Sequence, residues 1–423
     1  MSNLVYLLAL AVVYLYTNGR GSVGLLWALV FVLFQLSLSL VLTIPAVLNT
    51  AAASGILLVV FELLLFIADD PFSRPRVFAV VSTCFKGLAS VLALVGIKPR
   101  ARLINVHDSA SVRQVYIQLQ AERWDKVEQQ LLALPDGARY QLINGLAGVP
   151  RRPPVFDEWL AARPVSALPG VVSAQQRLAA AWQVRGTGAA STVTPKRQQT
   201  FIELLRQARA DLERAVMLDA TLCDSYVGML TVVMGTSGER KQLWDAFAKA
   251  RVHAENHYQA HMAMVTAMSP QWGGEPGEAL GFGRITARQA PADSALPGIL
   301  AVAHIENWLQ LDSSEKDFES GMYFRQSAVL KELNWAYQRL QPKRTMDADL
   351  IAALNAFAFS FYLGGQYDVT REILQLLDGR YCDYPWCYCS EPFLATVDIG
   401  FAIDQVEKVL QQSANKPQRA LST

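Results

Sequence analysis

The feature that most constrains this fold is the near absence of charged side chains from its first hundred residues. Charges are sparse from Leu4 to Ile97, whereas the sequence from Lys98 onward has mixed charge and periodic apolar positions. A helix needs roughly 20 apolar residues to cross a bilayer core, and residues 23–48, 51–68 and 77–97 reach that length. The pattern predicts a membrane-spanning region followed by a globular helical one.

A fourth, shorter apolar segment covers residues 4–16. Met1, Ser2 and Asn3 give it no basic side chain, and no small-residue cleavage site follows, so it does not resemble a signal peptide. We predict a retained first span. Turn residues separate the four spans into two hairpins.

The predicted orientation depends on three basic residues at each side of the spans. Lys98, Arg100 and Arg102 cluster at the end of the last span, whereas two of the opposing arginines share a loop with Asp69 and Asp70. Because basic residues concentrate in cytoplasmic loops, this arrangement favours a cytoplasmic soluble domain and a bacterial inner-membrane location.

Two charged residues, Glu62 and Lys86, fall inside predicted spans. An unpaired charge in a bilayer core is unfavourable by a few kcal/mol, so each is expected to face a neighbouring helix. They can form one packing pair, or they can serve transport. Four short spans leave little room for a substrate path, which favours a membrane anchor.

The chain is predicted to have three parts: a transmembrane region at 1–98, a helical hairpin with a linker at 99–153, and a helical-repeat domain at 154–423. The proline-rich stretch 149–154 marks the linker. Beyond it, amphipathic patterns predict successive helices, among them 155–162, 258–268 and 367–377, and no β-alternation occurs.

Two joints resemble tetratricopeptide repeats, in which helix hairpins stack into a solenoid. Residues 355–368 combine a small-residue helix with a glycine pair and an aromatic-Asp start, and residues 209–219 form a second, degenerate example. No strict period of 34 residues extends over the domain. We therefore predict an all-α fold with a divergent tetratricopeptide-like solenoid after the membrane helices.

Three landmarks follow one another between residues 156 and 309. They are Trp159 with Pro164 and Ser166, an AWxxRG motif containing Trp182, Arg185 and Gly186, and an SPxWGG motif containing Pro270, Trp272, Gly273 and Gly274. Their order and spacing resemble a largely bacterial family of helical-repeat proteins built on a domain of unknown function. The resemblance implies a tetratricopeptide-like fold and supplies no catalytic residue.

The Trp-Gly-Gly turn also has a physical interpretation. Pro270 stops the preceding helix, the two glycines can adopt the positive φ that a tight reversal requires, and Trp272 can cover the junction. We interpret these residues as structural punctuation in preference to a ligand-binding turn.

Two groups of residues could bind a metal. His253, His257 and His261 recur every four residues, but three histidines on one straight helix cannot converge on one tetrahedral ion. Cys382, Cys387 and Cys389 have a spacing unlike that of a zinc knuckle and lack a nearby histidine. Structural histidines and reduced thiols are the simpler interpretation, although one disulfide could form in an oxidising compartment.

Catalytic signatures are missing from the sequence. It has no GxSxG elbow, Walker loop or HExxH motif, and His304 and Glu306 are spaced onto different helix faces. The net charge is +1, with no long basic run. We predict no catalytic residue, cofactor, metal or nucleic-acid partner.

The predicted function is a membrane-anchored scaffold whose solenoid binds an unidentified protein or peptide partner next to the lipid bilayer. Two alternatives stay open. One is a small transport or signalling component that uses Glu62 and Lys86, and the other is a metal or redox sensor that uses Cys382, Cys387 and Cys389.

Overall fold

The structure is a computed structural model that describes residues 110–148, 154–186, 193–311, 321–340, 346–389 and 399–414. These residues belong to one unit, Ser82–Thr423. Within them every regular element is a helix, which confirms the all-α, helical-repeat part of the predicted fold.

The longer helices are numbered in chain order. They are α1 Ala110–Gln120, α2 Trp124–Leu132, α3 Asp136–Ala147, α4 Val155–Ala162, α5 Ala167–Arg185, α6 Pro195–Leu218, α7 Cys223–Gly235, α8 Arg240–His253, α9 Tyr258–Ala267, α10 Glu278–Gln289, α11 Gly298–Leu309, α12 Ser327–Arg339, α13 Ala348–Leu363, α14 Tyr367–Leu377 and α15 Ile399–Ala414. Single turns lie at Pro270–Trp272, Gly321–Tyr323 and Asp383–Trp386.

The helices form two layers. In the inner layer α5, α7, α9, α11 and α13 contact one another in chain order, and α6, α8, α10, α12 and α14 each pack against them from outside. The residues explain this division, because α11 is buried at every position from Gly298 to Glu306, whereas α6 buries one stripe that includes Leu205 and Leu212. A helix that is apolar on all sides belongs inside, and an amphipathic one belongs at the surface.

Helix α3 brings the two ends of this array together. It contacts α5 and α7 near the beginning of the array and α13 near its end. The approach to α13 is close, since a Cβ atom on Gly137 would lie 2.5 Å from Asp349 Oδ2. Helix α3 therefore lies close both to the first helices of the inner layer, α5 and α7, and to its last helix, α13.

Residues before and after the proline-rich stretch share one hydrophobic core. Val115 and Leu119 of α1 pack in the same cluster as Phe156 and Trp159 of α4 and Val171 of α5. The stretch itself, apart from Pro154, lies outside the described residues.

The predicted membrane region requires a correction. In the part of the chain that the structure describes, no helix combines the length and the apolar character needed to cross a bilayer. The longest of these helices, α6, has 24 residues but carries charged residues such as Lys196 and Glu203. The predicted multi-span fold class and the inner-membrane location are both corrected on this finding. The apolar segments between residues 4 and 97, with Glu62 and Lys86, lie outside the described residues.

Candidate functional site

The AWxxRG and SPxWGG motifs meet in space. Trp182 and Arg185 lie in the last turn of α5, and Trp272 lies in the Pro270–Trp272 turn after α9. The two indole rings are edge to face, with centroids 5.2 Å apart. The Arg185 guanidinium carbon lies 4.8 Å from the Trp272 centroid and 5.7 Å from that of Trp182. This cation–π contact joins the ends of two inner helices, and burial lowers the pKa of Arg185.

The motif glycines at this junction have backbone conformations or close contacts that residues with a side chain tolerate poorly. Gly186 and Gly273 have φ values of 73° and 87°, which few side chains tolerate. Gly274 donates its N–H to the Ser269 carbonyl at 3.1 Å, and a Cβ atom there would lie 1.9 Å from the Met268 carbonyl oxygen. The turn therefore needs glycine at each of these positions.

Trp159, the remaining motif residue, connects α4 to α2. Its side chain is fully buried, and its Nε1 donates to Glu128 Oε1 at 3.1 Å. Arg163 donates to both oxygens of the same carboxylate at 3.1 and 3.2 Å, and the Trp124 ring stacks on Trp159 at 6.5 Å. These contacts give Trp159 a structural role.

The three histidines do not lie on one helix. Helix α8 ends at His253, and the chain leaves helical geometry before His257, whose Nδ1 caps α9 by accepting from the Ala260 N–H at 3.4 Å. Burial lowers the pKa of His257 and of His261 to about 4. Among the described residues, no three His, Cys, Asp or Glu side chains are grouped to hold a metal.

The three C-terminal cysteines lie in residues 381–389, which we call the inserted segment. All three are free thiols, and Cys387 is exposed whereas Cys382 and Cys389 are half-buried. Burial raises the pKa of Cys382 and Cys389 to about 12 and that of Cys387 to about 11. Because the thiolate is the reactive form, these thiols are weak nucleophiles at neutral pH.

A tryptophan between the cysteines holds the inserted segment on α13. Trp386 is fully buried, and its Nε1 donates to Asn355 Oδ1 at 2.7 Å. Asn355 in turn donates through Nδ2 to the Ile351 carbonyl at 2.8 Å and the Arg380 carbonyl at 3.2 Å. The indole meets the Phe359 ring edge to face, with centroids 5.6 Å apart.

The inserted segment also reaches α11 and α9. The buried Tyr384 hydroxyl has no hydrogen-bond partner among the described residues, and it lies near Glu306 of α11 and Tyr258 of α9. Glu306 is 3% exposed, and its Oε2 accepts from Gln271 Nε2 at 3.5 Å. Burial raises the pKa of Glu306 to about 7, with a smaller opposing effect from Tyr384. The turn at Asp383–Trp386 therefore packs on α13 and α15, and its Tyr384 comes near α11 and α9.

A buried ion pair that no sequence pattern indicates joins α3 to α7. Arg139 Nε donates to Asp224 Oδ2 at 2.7 Å, and its Nη2 donates to Asp136 Oδ1 at 2.5 Å. The Asp224 side chain is fully buried. Burial raises its pKa to about 6 although Arg139 opposes this shift. No local motif could have identified the pair, because its two residues are far apart in the sequence.

A second polar network joins α11, α10 and α12. His304 lies 2.8 Å through Nδ1 from the Tyr323 hydroxyl and 3.3 Å through Nε2 from Glu332 Oε2. Arg284 Nε donates to the same Glu332 oxygen at 2.9 Å. Burial lowers the pKa of His304 to about 4. His304 and Glu306 thus have different partners, and the network links an inner helix to the outer layer.

Comparison with protein-family models, with curated proteins and with solved structures finds no match to this chain.

Proposed function

We propose that this chain is a tetratricopeptide-like scaffold that binds a short segment of a partner protein on its inner helices. The observation that supports this most directly is that α13 already carries such a segment, residues 381–389, whose Trp386 donates to Asn355. Stacked helix pairs present a continuous surface suited to such a segment.

Asn355 has the chemistry for this role. An amide side chain can donate and accept at the same time, and Asn355 donates to a backbone carbonyl while accepting from an indole N–H. Its bond to the Ile351 carbonyl fixes its orientation on a rigid helix. A backbone contact of this kind supplies affinity, and a neighbouring side-chain contact supplies specificity.

A displayed library of random peptides, selected on the full chain carrying Trp386→Ala, tests the proposal. We expect selected peptides to lose binding when Asn355→Ala is added, because that change removes the amide. Asn334→Ala is the matched control, since Asn334 also donates to the carbonyl four residues earlier, Leu330, but lies on the outer helix α12. Selection of no peptide, or of peptides that bind equally without Asn355, contradicts the proposal.

A further inference from the structure

We infer that the partner segment presents a tryptophan after a proline, with an aromatic hydroxyl before it, and that residues 381–389 compete for the same surface. This inference rests on the proposed function and adds the chemistry of the partner. The internal segment provides the pattern, because its Tyr384-Pro385-Trp386 sequence makes the contacts.

The site for Trp386 selects an indole. Asn355 is fully buried and its Oδ1 accepts the indole N–H at 2.7 Å, while Phe359 meets the ring edge to face, with centroids 5.6 Å apart. A phenylalanine in this place fills apolar space but leaves a buried acceptor without its donor. Such a loss weakens binding by about tenfold or more.

The residues before the tryptophan are also specified. Pro385 is buried, and Tyr384 lies near the buried carboxyl group of Glu306, which also accepts a hydrogen bond from Gln271. The Tyr384 hydroxyl is buried there without a hydrogen-bond partner among the described residues, and a hydroxyl at this position can donate to that carboxyl group. The pattern thus has an aromatic hydroxyl near Glu306 and an indole on Asn355, with a buried proline between them.

The inserted segment has the properties of a competitor held by a tether. It follows α14, after which Asp378 and Gly379 take positive φ values of 47° and 76° and turn the chain back. Its far end is exposed at Cys387 and Tyr388. A segment tethered in this way acts at an effective concentration of about millimolar. A partner must therefore displace it, and removal of its anchor should increase partner affinity.

The direct test uses a labelled synthetic peptide with the sequence of residues 380–389 and serine at its cysteines. Fluorescence anisotropy measures binding to the full chain, to Trp386→Ala, and to Trp386→Ala combined with Asn355→Ala or Asn334→Ala. We expect the single variant and the Asn334 control to bind saturably, the wild type at least about tenfold more weakly because of the tether, and the Asn355 variant not to bind. A peptide with phenylalanine for tryptophan should bind about tenfold more weakly.

A second measurement keeps the test valid if Trp386→Ala fails to fold. Saturating peptide should displace the inserted segment of the wild-type chain and accelerate thiol modification at half-buried Cys382, followed by mass spectrometry. An unchanged modification rate overturns the inference. Equal binding of the tryptophan and phenylalanine peptides also overturns it. If the library yields Asn355-dependent peptides without an aromatic-Pro-Trp pattern, the proposed function stands and this inference fails.

Discussion

Substitution of Glu306 by glutamine should make the protein more stable at alkaline pH. The carboxyl group is 3% exposed, and burial raises its pKa from 4.5 to about 7. Glutamine keeps the size and polarity of the protonated acid but cannot ionise. The variant therefore isolates the free energy associated with ionising a buried carboxyl group beneath the inserted segment.

The magnitude follows from the shift. One unit of pKa corresponds to about 1.4 kcal/mol, so the rise from 4.5 to about 7 at Glu306 corresponds to roughly 3 kcal/mol between its two protonation states. Because the pKa is raised in the folded state, this contribution to stability is fully present below pH 4.5 and is lost as the pH rises through about 7. Wild type and Glu306→Gln should therefore be similar near pH 4 and differ by up to about 3 kcal/mol at pH 8.

Urea unfolding followed by circular dichroism at several pH values measures this difference. Asp224, His257 and His304 also titrate with shifted pKa values, but they are present in both chains, so their contributions cancel in the comparison. Glu158→Gln, at an exposed position of α4, is the matched control for the loss of one carboxyl group. A Glu306→Gln difference that stays constant from pH 4 to pH 8, or that favours the wild type at pH 8, would refute the argument.

Three further predictions concern the surrounding structure. Gly274→Ala should lower the unfolding temperature more than Gly273→Ala, because the new Cβ atom at position 274 would clash with the Met268 carbonyl. A Cβ atom at position 273 would lie in open space, so Gly273→Ala should add only the positive-φ strain of about 1 kcal/mol. Equal effects of the two substitutions would contradict this steric explanation. Asp224→Asn should lower the free energy of unfolding, measured in urea, by about 3–5 kcal/mol, because it leaves Arg139 without its buried charged partner. The double variant Arg139→Met, Asp224→Asn should lose less stability than the sum of the losses in the two single variants. A thiol reagent with mass-spectrometric detection should modify exposed Cys387 before Cys382 and buried Cys223. Modification of all three thiols at the same rate would show that the inserted segment does not stay packed on α13.

Local patterns in the sequence were sufficient to predict many helices. The predicted helices at 155–162 and 367–377 coincide with α4 and α14, and the one at 258–268 ends one residue beyond α9. These elements depend on apolar periodicity and on turn residues close in the chain. The membrane prediction used the same kind of local evidence, but its segments fall outside the described residues and the described helices do not support it.

The long-range contacts could not be predicted in this way. Asn355 belongs to a stretch that the sequence identified only as a small-residue helix, and nothing near it indicates its bonds to Arg380 and Trp386. The cysteines are the residues that the sequence pattern singles out in the inserted segment, but Trp386, which lies between them, anchors the segment to Asn355. Similarly, the pairing of Arg139 with Asp224 depends on α3 packing against α7, which no single helix pattern encodes.

The motif residues and the inserted segment are physically connected, which clarifies their different roles. Arg185 holds Trp272 at the end of α5, and the adjacent Gln271 contacts Glu306. Glu306 lies beside Tyr384 of the inserted segment. The two motifs therefore position the Pro270–Trp272 turn, whose Gln271 side chain reaches Glu306 beneath the inserted segment. Changes at Arg185 or Trp272 should affect binding through the placement of Gln271 and Glu306, whereas changes at Asn355 should affect it by direct contact.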